Sequence, residues 1–144
     1  MTQPISHLAQ LLRAMEPIRN PGVYVFASLP HGSDVSALQP VATVQEREGI
    51  TVVVDEAVAQ AAQLQVLFRA AWITLNVHSD LQAVGLTAAF ASALGQANIS
   101  CNVVAGAFHD HIFVPVESAH DAMATLQALQ KKYAAMSPSP RFGE

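Results

Sequence analysis

The second half of the chain alternates in an order that few folds can use. Trp72-Ile73-Thr74-Leu75-Asn76-Val77 is rich in β-branched and aromatic residues and reads as a strand. Val84-Gly85-Leu86-Thr87-Ala88-Ala89-Phe90 follows, a glycine turn running into a segment where Thr87, Phe90, Ala91 and Leu94 recur at helical spacing. Gly95 and Asn98 end that helix. Residues 99–104 and 112–116 read as two further strands, joined through the turn Ala105-Gly106-Ala107. Ser118-Ala119-His120-Asp121 resembles a capping box. Behind it Met123, Leu126, Leu129 and Tyr133 line one helical face. The order is β-α-β-β-α, and a strand-to-helix turn of this kind is a natural place to hold a small anion or zwitterion.

One more strand would complete a split βαβ pattern. Little follows the last helix except Ser137-Pro138-Ser139-Pro140-Arg141-Phe142-Gly143-Glu144, which reads as a disordered tail. The missing strand must therefore come from the first half, which has strands to spare. There, residues 5–16 place Ile5, Leu8, Leu11, Leu12 and Met15 on one helical stripe, ended by Pro17, Asn20, Pro21 and Gly22. Val23-Tyr24-Val25-Phe26-Ala27 is a strand and Pro30-His31-Gly32-Ser33-Asp34 a loop. Residues 41–46 and 50–54 form a hairpin around Arg47-Glu48-Gly49. Asp55 caps a short helix through Ala62, and residues 65–68 offer a further strand. The expected fold is α+β and ferredoxin-like (βαββαβ), with two interlocked units over residues 1–70 and 71–134 and a tail over 135–144.

Composition narrows the partners. Hydrophobic residues make up 51% of the chain and charged residues only 12%, so core material is ample. Mean hydropathy is +0.30, yet no apolar stretch approaches the roughly 20 residues of a membrane span. The surplus apolar surface suits strands buried on both faces, or a homodimer. Net charge is −4, and the 7 Lys and Arg are scattered, which argues against nucleic acid and against a polybasic membrane anchor. Cys101 is the single cysteine, so no internal disulfide forms. The start Met1-Thr2-Gln3-Pro4 carries no cationic leader before an apolar run, and a cytoplasmic location is expected.

The second unit resembles the ACT domain, a small-molecule-binding regulatory module of amino-acid metabolism. Val77-His78-Ser79-Asp80, then Val84-Gly85-Leu86, then Ala97-Asn98-Ile99 carry that likeness. The chain is more closely similar to small bacterial tandem ACT-like proteins. The segments concerned are Gly22-Val23-Tyr24-Val25-Phe26, Glu46-Arg47-Glu48-Gly49-Ile50-Thr51, Val84-Gly85-Leu86-Thr87-Ala88-Ala89, Ser100-Cys101-Asn102-Val103-Val104-Ala105-Gly106 and His109-Asp110-His111-Ile112-Phe113-Val114-Pro115. The same pattern is similar to the ACT repeats of a eukaryotic cytosolic arginine sensor. The resemblance implies a non-catalytic protein without cofactor that binds an amino acid or related metabolite at a repeat or subunit interface. A separate regulated protein would read its state.

On this expectation the ligand-contacting residues are Asp80, Val84, Gly85, Leu86, Thr87, Asn102, Val103 and His109. Gly85 lets a backbone come close, either a ligand's neighbour or simply another segment. Asp80 could hold an ammonium group while the backbone at Leu86 and Thr87 takes a carboxylate. Equally, Ser79 or Asp80 could cap a helix, and the Thr87 hydroxyl could bond the backbone. Asn102 shares a strand face with Ser100 and Val104, and points to a ligand or an interface. Cys101 reads as a small packed hydrophobe.

Two rival readings come from other classes. His109 and His111, extended, share a face and could bind a metal in an enzyme, given a third ligand such as His78 or Asp80. They could instead make ligand affinity pH-sensitive. The other rival is a structural interaction module with no ligand at all.

Overall fold

A computed structural model describes residues 7–82 and 84–135. Ile5 and residues 136–144 of the expected tail lie outside the described residues. In chain order the elements are α1 (Leu8–Ala14), β1 (Pro17–Arg19), β2 (Tyr24–Leu29), β3 (Ala42–Gln45), β4 (Ile50–Asp55), α2 (Glu56–Ala61), β5 (Phe68–Leu75), α3 (Leu86–Gln96), β6 (Asn102–Ala105), β7 (Asp110–Pro115) and α4 (Ala119–Ala134). Short 3₁₀ turns stand at Ser36–Leu38 and Val116–Ser118.

The strands form one antiparallel sheet in the order β3-β4-β2-β5-β7-β6, with β1 also paired to β5. Strand β5 is the hinge of this arrangement. Its first residues, Phe68 to Ala70, pair with β2, and Ile73 to Leu75 pair with β1, both on the same edge. Its other edge pairs with β7 from Ala70 to Leu75. The strand missing from the second half is thus β1, which gives the ferredoxin-like order β1-β5-β7-β6. The first half borrows the start of β5 in the same way. One long strand replaces the two separate strands expected over 65–68 and 72–77, because pairing on both edges holds residues 68–75 extended throughout.

The helices lie on one face. Leu11, Leu12 and Met15 of α1 interlock with Ile73 and Leu75 of β5, Phe90 and Leu94 of α3, Ile112 and Val114 of β7, and Leu126 of α4. All of these are fully shielded from solvent. The buried stripe of α3 is Leu86, Phe90 and Leu94, spaced by four, and not the one through Thr87, which faces solvent. Helix α3 closes where Asn98 takes a left-handed φ of 61°. The Asn98 and Ile99 amides donate back to the Gly95 and Leu94 carbonyls, both at 2.9 Å.

A smaller core of Val25, Ala27, Ile50, Val52, Val54 and Ala59 lies under α2. Asp55 caps α2 by accepting from the Ala57 amide at 2.8 Å, as its position suggests. The hairpin turn closes between Glu46 and Gly49, as the sequence implies. Ser118 makes no side-chain cap, because a 3₁₀ turn leads into α4 and leaves its hydroxyl no such geometry. Strands β6 and β7 start two to three residues away from the expected 99 and 112: Ile99 completes the α3 cap, and Asp110 already pairs with Leu75.

Candidate functional site

At one end of β5 the chain leaves the sheet and wraps the start of α3. The Asn76 amide donates to the Glu16 carbonyl at 2.9 Å, and Val77 is buried, which anchors the departing strand. Residues 78–82 then arch over the N-terminus of α3. Asp80 Oδ1 accepts from the Gln82 amide at 2.9 Å, a local turn rather than a helix cap. Gly85 occupies the cap position with φ 106°, a left-handed conformation that side chains avoid. It offers no side-chain cap to α3, whose first turn carries the positive end of the helix dipole.

Opposite stands the tight β6–β7 turn. The Gly106 amide donates to the His109 carbonyl at 2.8 Å. A Cβ on Gly106 would sit 3.0 Å from that carbonyl, so a glycine suits the turn. Between arch and turn lies a cleft of about 70 Å³, lined by Ser79, Asp80, Leu81, Leu86, Thr87, Ala105, Gly106, His109 and Asp110. A wider recess of about 310 Å³ adjoins it along His78, Ser79, Asp80, Leu81, Gln82 and Ala107. Leu81 and Phe108 stay more than half exposed at the rim, and the Phe108 ring lies 5.3 Å from that of His78.

Of the residues expected to meet a ligand, Asp80, Leu86, Thr87 and His109 line this cleft together. Val84, Gly85, Asn102 and Val103 do not. Val84 points to solvent at 84% exposure. Gly85 packs against helix α1, where a Cβ would meet Leu8 Cδ2 at 3.0 Å. Asn102 is exposed on the far face of the sheet, and its amide donates to the Phe113 carbonyl at 3.4 Å. Val103 packs into the helix-side core.

The sequence reading gave no role to Asp110. It is only 9% exposed, the buried charged group among the described residues, and it opens onto the cleft. Burial pushes its carboxyl above the usual range, opposed only in part by the neighbouring His111 imidazole. The signal was present: Asp110, Ile112 and Val114 alternate in phase, so a carboxylate on that phase joins the core side of β7.

His111 is on the opposite side of the same strand. Its Nδ1 accepts from the Trp72 indole N–H at 3.1 Å and lies 3.1 Å from the Thr74 hydroxyl, which itself accepts from the Asn20 amide at 2.9 Å. An indole only donates, so Nδ1 carries no proton and the ring is neutral. Burial and the His109 charge hold its pKa below the usual histidine value. One ring nitrogen is thus occupied, and the His109 and His111 rings stand 6.4 Å apart. Among the described residues no group of three or more His, Cys, Asp or Glu is placed to hold a metal ion. Burial raises the Cys101 thiol to about 11, which leaves little nucleophilic thiolate near neutral pH.

Two ACT-domain family models match the chain in tandem, one over residues 3–71 and one over residues 68–128. The chain belongs to the ACT-domain family. A solved structure from Vibrio cholerae, a protein of unknown function described as a possible transport protein, is 45% identical with a TM-score of 0.78. It matches 85% of this chain over 95% of its own length. The ligand-free regulatory subunit of aspartate kinase from Thermus thermophilus shares the fold at 10% identity and TM-score 0.61, over 81% of this chain and 97% of that one. Aspartokinase III of E. coli, in complex with aspartate and ADP, shares it at 14% identity and TM-score 0.57, over 83% of this chain and 33% of that one. No curated protein sequence matches the chain. ACT units typically serve as regulatory, non-catalytic modules, and the tandem pair here supports a ligand-binding regulatory role.

Proposed function

We propose that the cleft between the start of α3 and the β6–β7 turn binds a small molecule bearing both a carboxylate and an amine, most simply an α-amino acid. The observation that carries this reading is Asp110. A carboxylate buried at the wall of a cleft is unfavourable unless a cation comes to meet it. Across the cleft, the start of α3 at Leu86 and Thr87 suits an anion. The two ends of a zwitterion match these two walls. In this reading the protein is a non-catalytic sensor, and a separate protein reads its state. The division into units over residues 1–70 and 71–134 is one of family repeats that share β5 rather than of independent folding units.

A thermal-shift screen against the twenty amino acids tests this. A ligand present at about 100 times its dissociation constant adds about 2.7 kcal/mol of stability. The Asp110→Asn variant keeps the shape and removes the charge, so it loses that shift. Unliganded, the variant is more stable than the parent near neutral pH, by about 1 kcal/mol, as when a functional group held for ligand is removed. The sign follows from the raised carboxyl: the folded state holds that proton more tightly than the unfolded one, so stability falls as pH rises through the folded value. Ligand affinity rises over the same window. No shift with any amino acid would sink the proposal.

A further inference from the structure

Two residues of the β6–β7 turn line the cleft and also meet a side chain on the far face of the sheet. Gly106 and His109 belong to the cleft wall. The His111 ring rests on the same turn. A Cβ on Gly106 would stand 3.3 Å from its Nε2, and the His109 ring meets it edge-on at 6.4 Å. We propose that a molecule held in the cleft is registered across the sheet: the turn displaces the His111 ring and so changes the hydrogen bond that this ring accepts from the Trp72 indole. The proposal rests on the cleft being a binding site, as set out above.

The local geometry makes the ring responsive. Nδ1 has one lone pair, and two donors approach it at the same 3.1 Å, the Trp72 indole N–H and the Thr74 hydroxyl. One lone pair cannot serve both fully, so a small rotation of the ring favours one donor over the other. The strand side of this node is fixed. The Asn20 side-chain amide donates to the Thr74 hydroxyl at 2.9 Å and to the Trp72 carbonyl at 3.2 Å, and its backbone amide donates to that carbonyl at 2.8 Å. The ring is therefore the part that turns. On its other side no side chain separates it from the Gly106 backbone, so a close-packed contact carries any movement of the turn to the ring.

A ligand shifts such a balance only through contacts that differ between its two arrangements. Here those are contacts with Gly106 and His109, which change as the turn moves. The effect reaches beyond the indole N–H. Trp72 meets Tyr24 edge to face at 5.1 Å and stacks on Phe113 at 6.1 Å, so a tilted indole reshapes an aromatic surface on the side of the sheet away from α3. A separate protein can read that surface without touching the cleft.

Trp72 is the chain's single tryptophan, so its indole N–H gives one signal in a proton–nitrogen correlation NMR spectrum. The full chain is titrated with each of the twenty amino acids, and that signal is followed beside the melting temperature. The amino acid that raises the melting temperature should also move the indole signal by more than its width. His111→Phe should keep the melting shift and lose the movement. Should His111→Phe fail to fold, Gly106→Ala decides without any ligand, because its Cβ presses on the ring and should displace the indole signal from the parent's position. A melting shift with a stationary indole signal overturns the relay and leaves the cleft as a binding site. Movement that persists in His111→Phe also overturns it, as does a Gly106→Ala protein with the parent's indole signal. No melting shift with any amino acid overturns both readings.

Discussion

The two halves of the sheet carry the same strand frame and differ in what fills the first crossover. After β5 the chain builds the eleven-residue helix α3, opened by Gly85. After β2, at the corresponding place, it passes through Pro30, Gly32 and Pro40 and manages only the three-residue turn Ser36–Leu38. The consequence is twofold. No full helix start forms beside β2, and the core beneath that half stays small. The other half gains α3 and also draws in α1 from the N-terminus, so that three helices share one core. A strand frame alone therefore makes no cleft here; the crossover helix does.

The largest expected effect breaks this asymmetry at its root. Leu12 is fully buried among α1, α3, α4 and the sheet, so Leu12→Ala should lower stability by about 2–5 kcal/mol in urea unfolding. Leu38→Ala, half-exposed beneath the short turn of the other half, should lower it by only about 1 kcal/mol. Equal losses would mean that the two cores are equally developed. A smaller contrast separates the glycines. Gly85→Ala meets both a left-handed backbone and Leu8, and should lower stability by about 2 kcal/mol. Gly32→Ala, at φ 81° with open space around it, should lower stability by about 1 kcal/mol. A double-mutant cycle with Leu8→Ala isolates the contact term at Gly85. Because Gly85 takes a left-handed φ and lies against Leu8 of α1, a bulky replacement there disturbs folding as well as any ligand, so Asp110→Asn is the cleaner probe of the cleft.

The smallest effect is a pH dependence belonging to the sheet between β5 and β7. His111 takes up its proton less readily when folded than the usual 6.5. The unfolded chain then binds more protons, and stability falls as pH drops below that value. Melting between about pH 7 and about pH 5 should show a loss of a few degrees that His111→Asn reduces, since an amide oxygen can replace Nδ1 as acceptor for Trp72. An acid sensitivity unchanged by that variant would place the titrating group elsewhere.

Local signals were legible in the sequence wherever a few neighbouring residues decide the structure. The Asp55 cap, the Glu46–Gly49 turn, the Gly85 turn and the Asn98 helix end are of this kind. What the sequence hid depends on distance along the chain. Nothing near Pro17 announces that it pairs with Leu75, nor does anything near Leu64 announce that the strands on either side of Ala70 are one. The cleft follows the same rule. Asp80, Leu86, Thr87 and His109 lie beside a visible turn. The strand sequence around Asn102 leaves its face open, and only the pairing with Phe113 sets it. Asp110 sat between two louder histidines, and its phase with Ile112 and Val114 was the quieter and better guide.

The β1–β5 pairing also orders events in time. Helix α1 and strand β1 leave the ribosome well before the elements they pack on: β1 needs β5 and α1 needs α4, where the Gln130 side chain donates to the Arg13 carbonyl at 3.1 Å across 117 residues. Contacts that span so much chain form late and slowly. That segment therefore waits, with its leucines uncovered, until α4 has been made, and is among the last of these elements to find its place.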